Sequence, residues 1–277
     1  MTIHDYLYGV YEDFKQYVDN NHDLCQLRDM TFKDGHVPDY SDVHVQQYYL
    51  LRFVFSYAFE YKKMYERLLT RVGTFNGSVK VCSLGCGSMV DYWALTEILS
   101  DNKSSDTIVD YTGVNVVDWN YKFAPRDNDK IDFICGNAKD HFDSVEGLDH
   151  DIYIFPKSIC EFAHADFCSV INSIADKNTK DRIYFLVSIR TEEHNMDCDM
   201  DRCKEIKSIM CADGYLTPDD ANTHWSFIEK TRGIKAFDRK FDYPDEAKEL
   251  LCDLTKKCGN RECVINMCES TFKRSPI

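Results

Sequence analysis

Short apolar runs alternate with amphipathic stretches through the middle of the chain. Runs rich in β-branched and aromatic residues predict strands, and the helical spacing of apolar positions over 162–175 predicts a helix between two of them. The five predicted strands are 80–84, 107–115, 131–135, 151–155 and 182–189. Strands that alternate with helices indicate crossover connections and a parallel sheet covered on both faces.

The N-terminal part follows a helical period instead. Apolar side chains recur three and four residues apart from Tyr6 onwards, and a longer helix is predicted over about 42–71. This longer helix is apolar around most of its circumference, which is typical of a helix buried on two sides. Turn-forming residues at 73–78 mark a boundary. We therefore expect an N-terminal helical cap over residues 1–75 and a core over 76–277.

One polar stripe interrupts the long apolar helix. It consists of Arg52, Ser56, Glu60 and Lys63. Two interpretations stay open at this point. The stripe can be solvated, or it can face a ligand cleft in which the Arg52 guanidinium makes a bidentate contact with a carboxylate.

The last third of the chain is less regular. A helix is predicted over 201–212, and a proline in the first turn with a glycine just past the end predicts another over 244–257. A final strand is predicted over 261–268. We expect an insertion or accessory segment at about residues 191–260.

Composition indicates a globular cytoplasmic protein. With 277 residues, of which 44% are hydrophobic, the chain can bury a sizeable core, and no apolar run is long enough to span a membrane. No export signal is recognisable, so we expect the 13 cysteines to be reduced thiols, including Cys82, Cys135 and Cys160. A net charge of −14 disfavours non-specific nucleic-acid binding, although a local basic patch could still contact RNA.

The stretch around which the chain is organised follows the first predicted strand. Gly85 and Gly87 come directly after that strand, and a helical pattern begins near Val90. The glycines let the backbone turn sharply and let a ligand approach closely, while N–H groups at the helix start can meet an electron-rich group. The lysine of a phosphate loop is missing, and Val90 replaces the third glycine of a dinucleotide-binding turn.

Leu84–Gly87, with the sequence Leu-Gly-Cys-Gly, resembles the first motif of the class I S-adenosylmethionine (SAM) dependent methyltransferases. Later segments follow in the order of that family, because strands end at Asn115, at Gly136–Ala138 and at Phe155–Ser158. The resemblance covers about residues 79–190. It implies an α/β fold with a mostly parallel, seven-stranded Rossmann-like sheet and helices on both faces. It also implies SAM as the cofactor and S-adenosylhomocysteine (SAH) as its product.

Three positions depart from the family pattern. The family carries acidic residues where this chain has Ser83, Asn115 and Asn137. Asparagine keeps an acceptor oxygen and adds two donors, but it loses the charge that makes such hydrogen bonds roughly twice as strong. Asp118 can replace the missing acid and Trp119 can stack on the adenine, with a helix cap and core packing as the respective alternatives. The candidate cofactor-binding residues are Arg52, Ser83, Gly85, Cys86, Gly87, Ser88, Asn115, Val116, Asp118, Trp119, Asn137, Ala138 and Pro156.

The segment after the fourth strand lies under the reactive methyl group in this family. It lacks the Asp/Asn-Pro-Pro-aromatic signature of amine methylation and the Pro-Cys pair of cytosine C5 methylation, which disfavours DNA as a substrate. Phe155–Glu161 is loosely similar to the branch that includes rRNA uridine-N3 methyltransferases and SAM-sensing proteins. Lys157, Ser158 and Glu161 are the candidate catalytic residues. Glu161 either acts as a base or is a solvated or helix-capping carboxylate.

No metal site is predicted. Cys258, Cys263 and Cys268 are regularly spaced, but structural zinc generally uses ligand pairs two to four residues apart. The histidines show no paired spacing that suggests ligands.

Two classes of function remain. The first is a SAM-dependent methyltransferase whose acceptor is RNA, a small molecule or a protein, with the N-terminal helices closing over the cofactor. The alternative is a catalytically inactive SAM or nucleotide sensor, or a scaffold, with the same fold. The neutral residues at the three acidic positions favour this alternative.

Overall fold

The computed structural model describes residues 1–20, 27, 38–75, 77–102, 104–189, 193–215, 249–251 and 264–266. The chain divides into two compact units. Unit 1 consists of Met1–Phe59, Trp119–Ala124 and Ile234–Ile277, and unit 2 consists of Glu60–Asp118 and Pro125–Gly233. The division expected from the sequence, at residue 75, stays a prediction.

Unit 2 is built on a five-stranded parallel sheet with the strand order β3-β2-β1-β4-β5. The strands are β1 (Ser78–Leu84), β2 (Ile108–Asn115), β3 (Lys130–Cys135), β4 (Ile152–Pro156) and β5 (Tyr184–Ser188). Val81 pairs with Tyr111 on one side and with Ile152 on the other, so β1 is the central strand. This order and direction define a Rossmann-like α/β fold. Each predicted strand overlaps an observed one, which confirms the predicted fold class.

The central strands are buried on both faces. Four consecutive side chains of β4, Ile152–Phe155, are fully buried. In β1, Val81, Cys82, Ser83 and Leu84 are also buried. A strand with one solvated face would alternate buried and exposed positions, whereas continuous burial is typical of a parallel sheet between helical layers.

The described residues form six helices with defined bounds. They are α1 (Ile3–Asn20), α2 (Val43–Val72), α3 (Val90–Asp101), α4 (Ala138–Ser144), α5 (His164–Lys177) and α6 (Glu193–Ala212), and a 3-10 turn spans Ile159–Glu161. In unit 2, one core cluster joins α4, α5 and α6 to β1 and β4 through buried side chains that include Phe142, Phe155, Phe167 and Ile206. None of the helices in the described residues combines the length and apolar character that a membrane crossing requires.

Unit 1 contains α1, the part of α2 that ends at Phe59, and the segment Trp119–Ala124. The Tyr6 ring stacks on Phe123 with 3.9 Å between ring centroids, and its hydroxyl donates to the Tyr121 carbonyl at 3.1 Å. Gln47 Nε2 donates to the Tyr121 hydroxyl at 2.6 Å. The segment is therefore held by both helices.

Two parts of the C-terminal prediction have different outcomes. The helix predicted over 201–212 is confirmed as part of α6. The helix predicted over 244–257 is wrong at its centre, because β6 (Glu249–Leu251) pairs antiparallel with β7 (Val264–Asn266). Strand formation depends on the partner strand, and the β-branched residues of β7 lie beyond the local pattern that predicted the helix. Within the described residues the parallel sheet has five strands, and β6 and β7 form a separate pair. The count of seven strands stays a prediction.

The expectation of reduced thiols is wrong for Cys160. Its sulfur forms a disulfide with Cys198 of α6, 38 residues further along the chain. Packing of the 3-10 turn against α6 brings the two sulfurs together, and a local pattern cannot show such a pairing. Cys82 and Cys135 are free thiols, as predicted.

Candidate functional site

The candidate site lies at the point where the strand order of the sheet reverses. From β1 the chain moves to β2 and β3 on one side, and β4 and β5 lie on the other side. Ligands of open α/β sheets bind outside the carboxyl ends of the strands at such a switch point. The segments that leave β1 and β4 at this edge are the glycine turn, Gly85–Met89, and the residues from Lys157 onwards.

The first glycine of the turn is required by the end of β4. Gly85 has a φ of 79°, which favours glycine, and a Cβ atom placed on it would lie 2.4 Å from the Cβ of Ser158. The Gly85 N–H donates to the carbonyl of Val114 at 2.8 Å. Ser158 is buried and its hydroxyl donates to the Leu84 carbonyl. The turn therefore packs directly between the ends of β2 and β4.

Asn115 ties the glycine turn to the end of β2. Its Oδ1 accepts a hydrogen bond from the Gly87 N–H at 3.3 Å, and its Nδ2 donates to the Val117 carbonyl at 2.8 Å. Each end of the amide thus has one structural partner, while the second lone pair and the second N–H can still bind a ligand. Val116 follows directly and is 73% exposed.

Asn137 occupies the corresponding place after β3. It is the N-cap of α4, and its Oδ1 accepts from the Lys139 N–H at 2.8 Å. The residue is exposed, whereas Ala138 is buried. The side-chain oxygen therefore stabilises the helix start, and the Nδ2 group still has two N–H donors.

A buried acid that the sequence analysis missed lies beside the glycine turn. Asp91, in the first turn of α3, is fully buried, and the Tyr111 hydroxyl approaches its two carboxyl oxygens at 3.0 and 3.1 Å. Burial raises the pKa of Asp91 to about 6, although Ser83, Tyr111 and the N–H groups of residues 91 and 92 act in the opposite direction. The first turn of α3 thus contains a buried carboxyl group that belongs to the protein itself.

Ser83 lies at one of the positions where class I SAM methyltransferases carry an acid, and its side chain is buried beside Asp91. The Ser83 hydroxyl is buried near Asp91 and lowers the pKa of that carboxyl, although its geometry falls outside that of a hydrogen bond. A buried carboxyl group of α3 thus lies close to Ser83. An acid in the first helical turn after a glycine turn was the available sequence signal.

Lys157, Glu60 and Ser188 form a second polar cluster at the carboxyl ends of β4 and β5. Lys157 has a φ of 64°, and its Nζ lies 2.8 Å from Glu60 Oε1 and 2.5 Å from the Ile189 carbonyl. Ser188 Oγ donates to the same Glu60 oxygen at 2.7 Å. The lysine is held as a donor to a carboxylate, so it is suited to hydrogen bonding and charge stabilisation rather than to accepting a proton.

Four other candidate residues lie outside the glycine turn and the Lys157–Glu60–Ser188 cluster. Glu161 is exposed at the end of the 3-10 turn, next to Cys160 of the disulfide, and Asp118 is also exposed. Arg52 and Trp119 belong to unit 1. Trp119 is buried against the rings of Tyr40 and Tyr49, at centroid distances of 5.1 and 5.6 Å, so core packing is the arrangement observed.

Arg52 is also engaged within unit 1. Its Nη1 donates to the Tyr48 hydroxyl at 2.6 Å, and its guanidinium lies 5.2 Å from the centroid of the Phe53 ring. The remaining candidate positions, which include Cys86, Ser88 and Pro156, lie around the switch point in unit 2. Cys258, Cys263 and Cys268 lie outside the described residues.

No protein-family model and no curated protein matches this chain. Similar solved structures include MNMC2 from Aquifex aeolicus, with 11% identity and a TM-score of 0.37, covering 61% of this chain and 55% of that one. The chain thus spans only about half the length of MNMC2. The plantazolicin methyltransferase BpumL in complex with SAH is similar at 14% identity and a TM-score of 0.39, covering 92% of this chain and 91% of that one. A BpumL complex with a desmethylPZN analogue and SAH covers 80% and 79% at 15% identity, also with a TM-score of 0.39. Matches at this level do not define an activity.

Proposed function

We propose that the protein is a SAM-dependent methyltransferase whose acceptor is not yet identified. The observation that carries the proposal is the glycine turn at the switch point of a parallel β3-β2-β1-β4-β5 sheet, held by Asn115 and packed on Ser158. The motif order that resembles class I SAM methyltransferases supports it. A turn of this kind can bring the backbone close to a ligand, as methyltransferase cofactor sites require.

The residues at the carboxyl edge of the sheet fit a nucleoside with an attached amino acid. Val116 offers an exposed apolar surface, and the amide groups of Asn115 and Asn137 retain free hydrogen-bonding capacity. These residues would hold the ribose and adenine, with Asp118 as an added acceptor, while Pro156 and Lys157 would border the reactive end. When bound, SAM supplies an electrophilic methyl group.

The protein's own contribution to the transfer is mainly positioning. Methyl transfer needs an in-line approach of the acceptor more than it needs an acid or a base. The Lys157–Glu60–Ser188 cluster fixes a cation and a carboxylate at the edge where the acceptor would sit. We therefore propose that Lys157 orients the acceptor, that the buried Ser158 acts through its contacts with the glycine turn, and that the exposed carboxylate of Glu161 receives a proton.

A SAM sensor or scaffold is the second candidate, and one observation favours it. The side-chain oxygens of Asn115 and Asn137 accept structural hydrogen bonds, from Gly87 and Lys139 respectively. Because neither side chain is charged, contacts to the cofactor lose their charge-assisted part. A sensor would bind SAM without turnover, and a scaffold would not bind it.

The proposal is tested by equilibrium dialysis of the full chain with radiolabelled SAM, followed by assay for SAH. Gly87→Asp should abolish SAM binding, because its side chain enters the turn and its charge repels the cofactor carboxylate. Aspartate tolerates the left-handed backbone at Gly87, where φ is 51°, so the fold should persist. The matched control is Gly147→Asp, at a position with open space around it, which should leave binding unchanged. Equal SAM binding by wild type and Gly87→Asp would contradict the proposed site.

A further inference from the structure

Three side chains with different ligand atoms converge on the surface of unit 2, between α5 and α6. They are His164, Cys168 and Glu205, and one potential ligand atom of each lies within 4.8 Å of the other two. His164 is exposed, whereas Cys168 and Glu205 are partly buried. Cys168 is a free thiol.

The helical geometry explains why these residues meet. His164 and Cys168 are four residues apart on α5, so their side chains lie on the same face, one turn apart. Glu205 comes from α6, which packs against α5. His164 Nε2 lies 2.7 Å from Glu205 Oε1, which shows that a nitrogen and an oxygen ligand already face each other.

The second oxygen of Glu205 has its own partner. Arg202 Nη1 donates to Glu205 Oε2 at 3.0 Å, while the Arg202 guanidinium lies 4.8 Å from the centroid of the Phe167 ring. The carboxylate is thus oriented by one oxygen and presents the other to His164. Carboxylates that bind metals are commonly held in this way by hydrogen bonds from neighbouring residues.

We propose that His164, Cys168 and Glu205 form a Zn²⁺ site with a water as the fourth ligand. Imidazole nitrogen, thiolate sulfur and carboxylate oxygen are the three ligand types that zinc uses, and three protein ligands with one open position form a known tetrahedral arrangement. Ligand atoms of tetrahedral zinc are roughly 3.3–3.8 Å apart, so rotamer adjustments at the surface suffice. On binding, the ion replaces the His164–Glu205 hydrogen bond, and the Cys168 thiol releases its proton to solvent.

Such a site would clamp α6 to α5 independently of the proposed methyl transfer. The Cys160–Cys198 disulfide also connects α6 to the segment that precedes α5. Local spacing does not show the site, because the pair on α5 is made of one histidine and one cysteine. The third ligand, Glu205, lies on another helix, 41 residues after His164.

The test uses the full chain, stripped of metal with a chelator, and Co²⁺ as a spectroscopic substitute for Zn²⁺. A thiolate ligand gives a sulfur-to-cobalt charge-transfer band in the near ultraviolet, and Zn²⁺ should displace it. Cys168→Ser should remove the band of this site, and His164→Ala should weaken Co²⁺ affinity by about tenfold or more. Cys211→Ser removes an exposed thiol of α6 outside the cluster and should leave both measurements unchanged.

The Co²⁺ measurements either support the metal site or overturn it. Loss of one equivalent of bound Co²⁺ in Cys168→Ser and weakened binding in His164→Ala, with Cys211→Ser unaffected, would support the site. A wild-type protein without the band would overturn it, and so would a band that Cys168→Ser and His164→Ala leave intact. Both variants change side chains at the surface of α5, and His164→Ala tests the site without touching a cysteine.

Discussion

The Lys157 ammonium lies 2.8 Å from the Glu60 carboxylate, although 97 residues separate them in the chain. Their side chains are only 11% and 27% exposed. Ser188 donates to the same carboxylate oxygen, so the ends of β4 and β5 are joined to α2. This cluster holds the polar groups that would face the acceptor. The coupling energy between Lys157 and Glu60 can be measured.

A double-mutant cycle on Glu60→Gln and Lys157→Met should give a coupling energy of at least about 1 kcal/mol, because the pair is largely shielded from water. Each single substitution should lower the free energy of unfolding by about 1–3 kcal/mol in urea titrations. The matched control is the exposed pair Asp201 and Lys204, at 70% and 72% exposure, for which we expect no measurable coupling. Equal coupling in both pairs would show that the Lys157–Glu60 contact is no stronger than a surface ion pair.

Gly85→Ala should destabilise unit 2 by about 2–4 kcal/mol. The new methyl group would collide with Ser158, and the residue would also be held at a positive φ. Gly147→Ala, in open space, should change the free energy of unfolding little. Because the collision is with Ser158, the substitution Ser158→Gly should recover part of the loss in the Gly85→Ala background. No recovery would indicate that backbone strain alone accounts for the effect.

The buried carboxyl group of Asp91 should make the folded protein less stable as the pH rises. Its pKa in the folded protein is raised from 3.8 to about 6, so the folded state keeps a proton that the unfolded chain has released. The contribution of Asp91 to stability therefore falls as the pH rises from about 4 to about 6, by about 3 kcal/mol in total. Asp91→Asn should remove this slope relative to wild type, in urea titrations between pH 4 and pH 7. Asp127→Asn, an exposed substitution, should keep the wild-type pH dependence. Parallel pH profiles of wild type and Asp91→Asn would contradict the burial of an ionisable carboxyl.

Two buried tyrosines near Asp91 should respond in opposite ways to loss of the hydroxyl. The Tyr65 hydroxyl is buried and has no hydrogen-bond partner within the described part of the chain, so Tyr65→Phe should stabilise the protein by about 1 kcal/mol. The Tyr111 hydroxyl contacts both oxygens of Asp91, so Tyr111→Phe should lower the free energy of unfolding of the protein by about 1–3 kcal/mol. The two variants serve as controls for each other in thermal unfolding. If Tyr65→Phe lowers the stability of the protein as much as Tyr111→Phe does, the Tyr65 hydroxyl must make a hydrogen bond.

The parallel sheet could be predicted because its signal is local. Each of its strands is a short apolar run bounded by turn residues, and the glycine turn lies directly after the first run. Asn115 and Asn137 could also be predicted locally, because Asn115 ends a strand and Asn137 follows shortly after the next one. Their structural hydrogen bonds depend on neighbours that the pattern does not show.

The rest of the site depends on contacts between distant residues. Glu60 was recognised only as part of a polar stripe, and its partner Lys157 follows a strand that lies far along the chain. Asp91 is an acid in the first turn of a helix, and its burial and its contact with Tyr111 follow from tertiary packing that a local pattern does not show. The strand Glu249–Leu251 was missed because its pairing partner outweighed a helical pattern.

Binding of SAM at the glycine turn is best tested by thermal unfolding of the full chain with SAM, SAH, NAD and ATP, each in large excess. A ligand at about 100 times its dissociation constant should stabilise the folded protein by about 2.7 kcal/mol. We expect the unfolding temperature to rise with SAM and SAH, not to rise with NAD or ATP, and to show no SAM-dependent rise in Gly87→Asp. Stabilisation by neither SAM nor SAH would contradict the claim and would favour the scaffold.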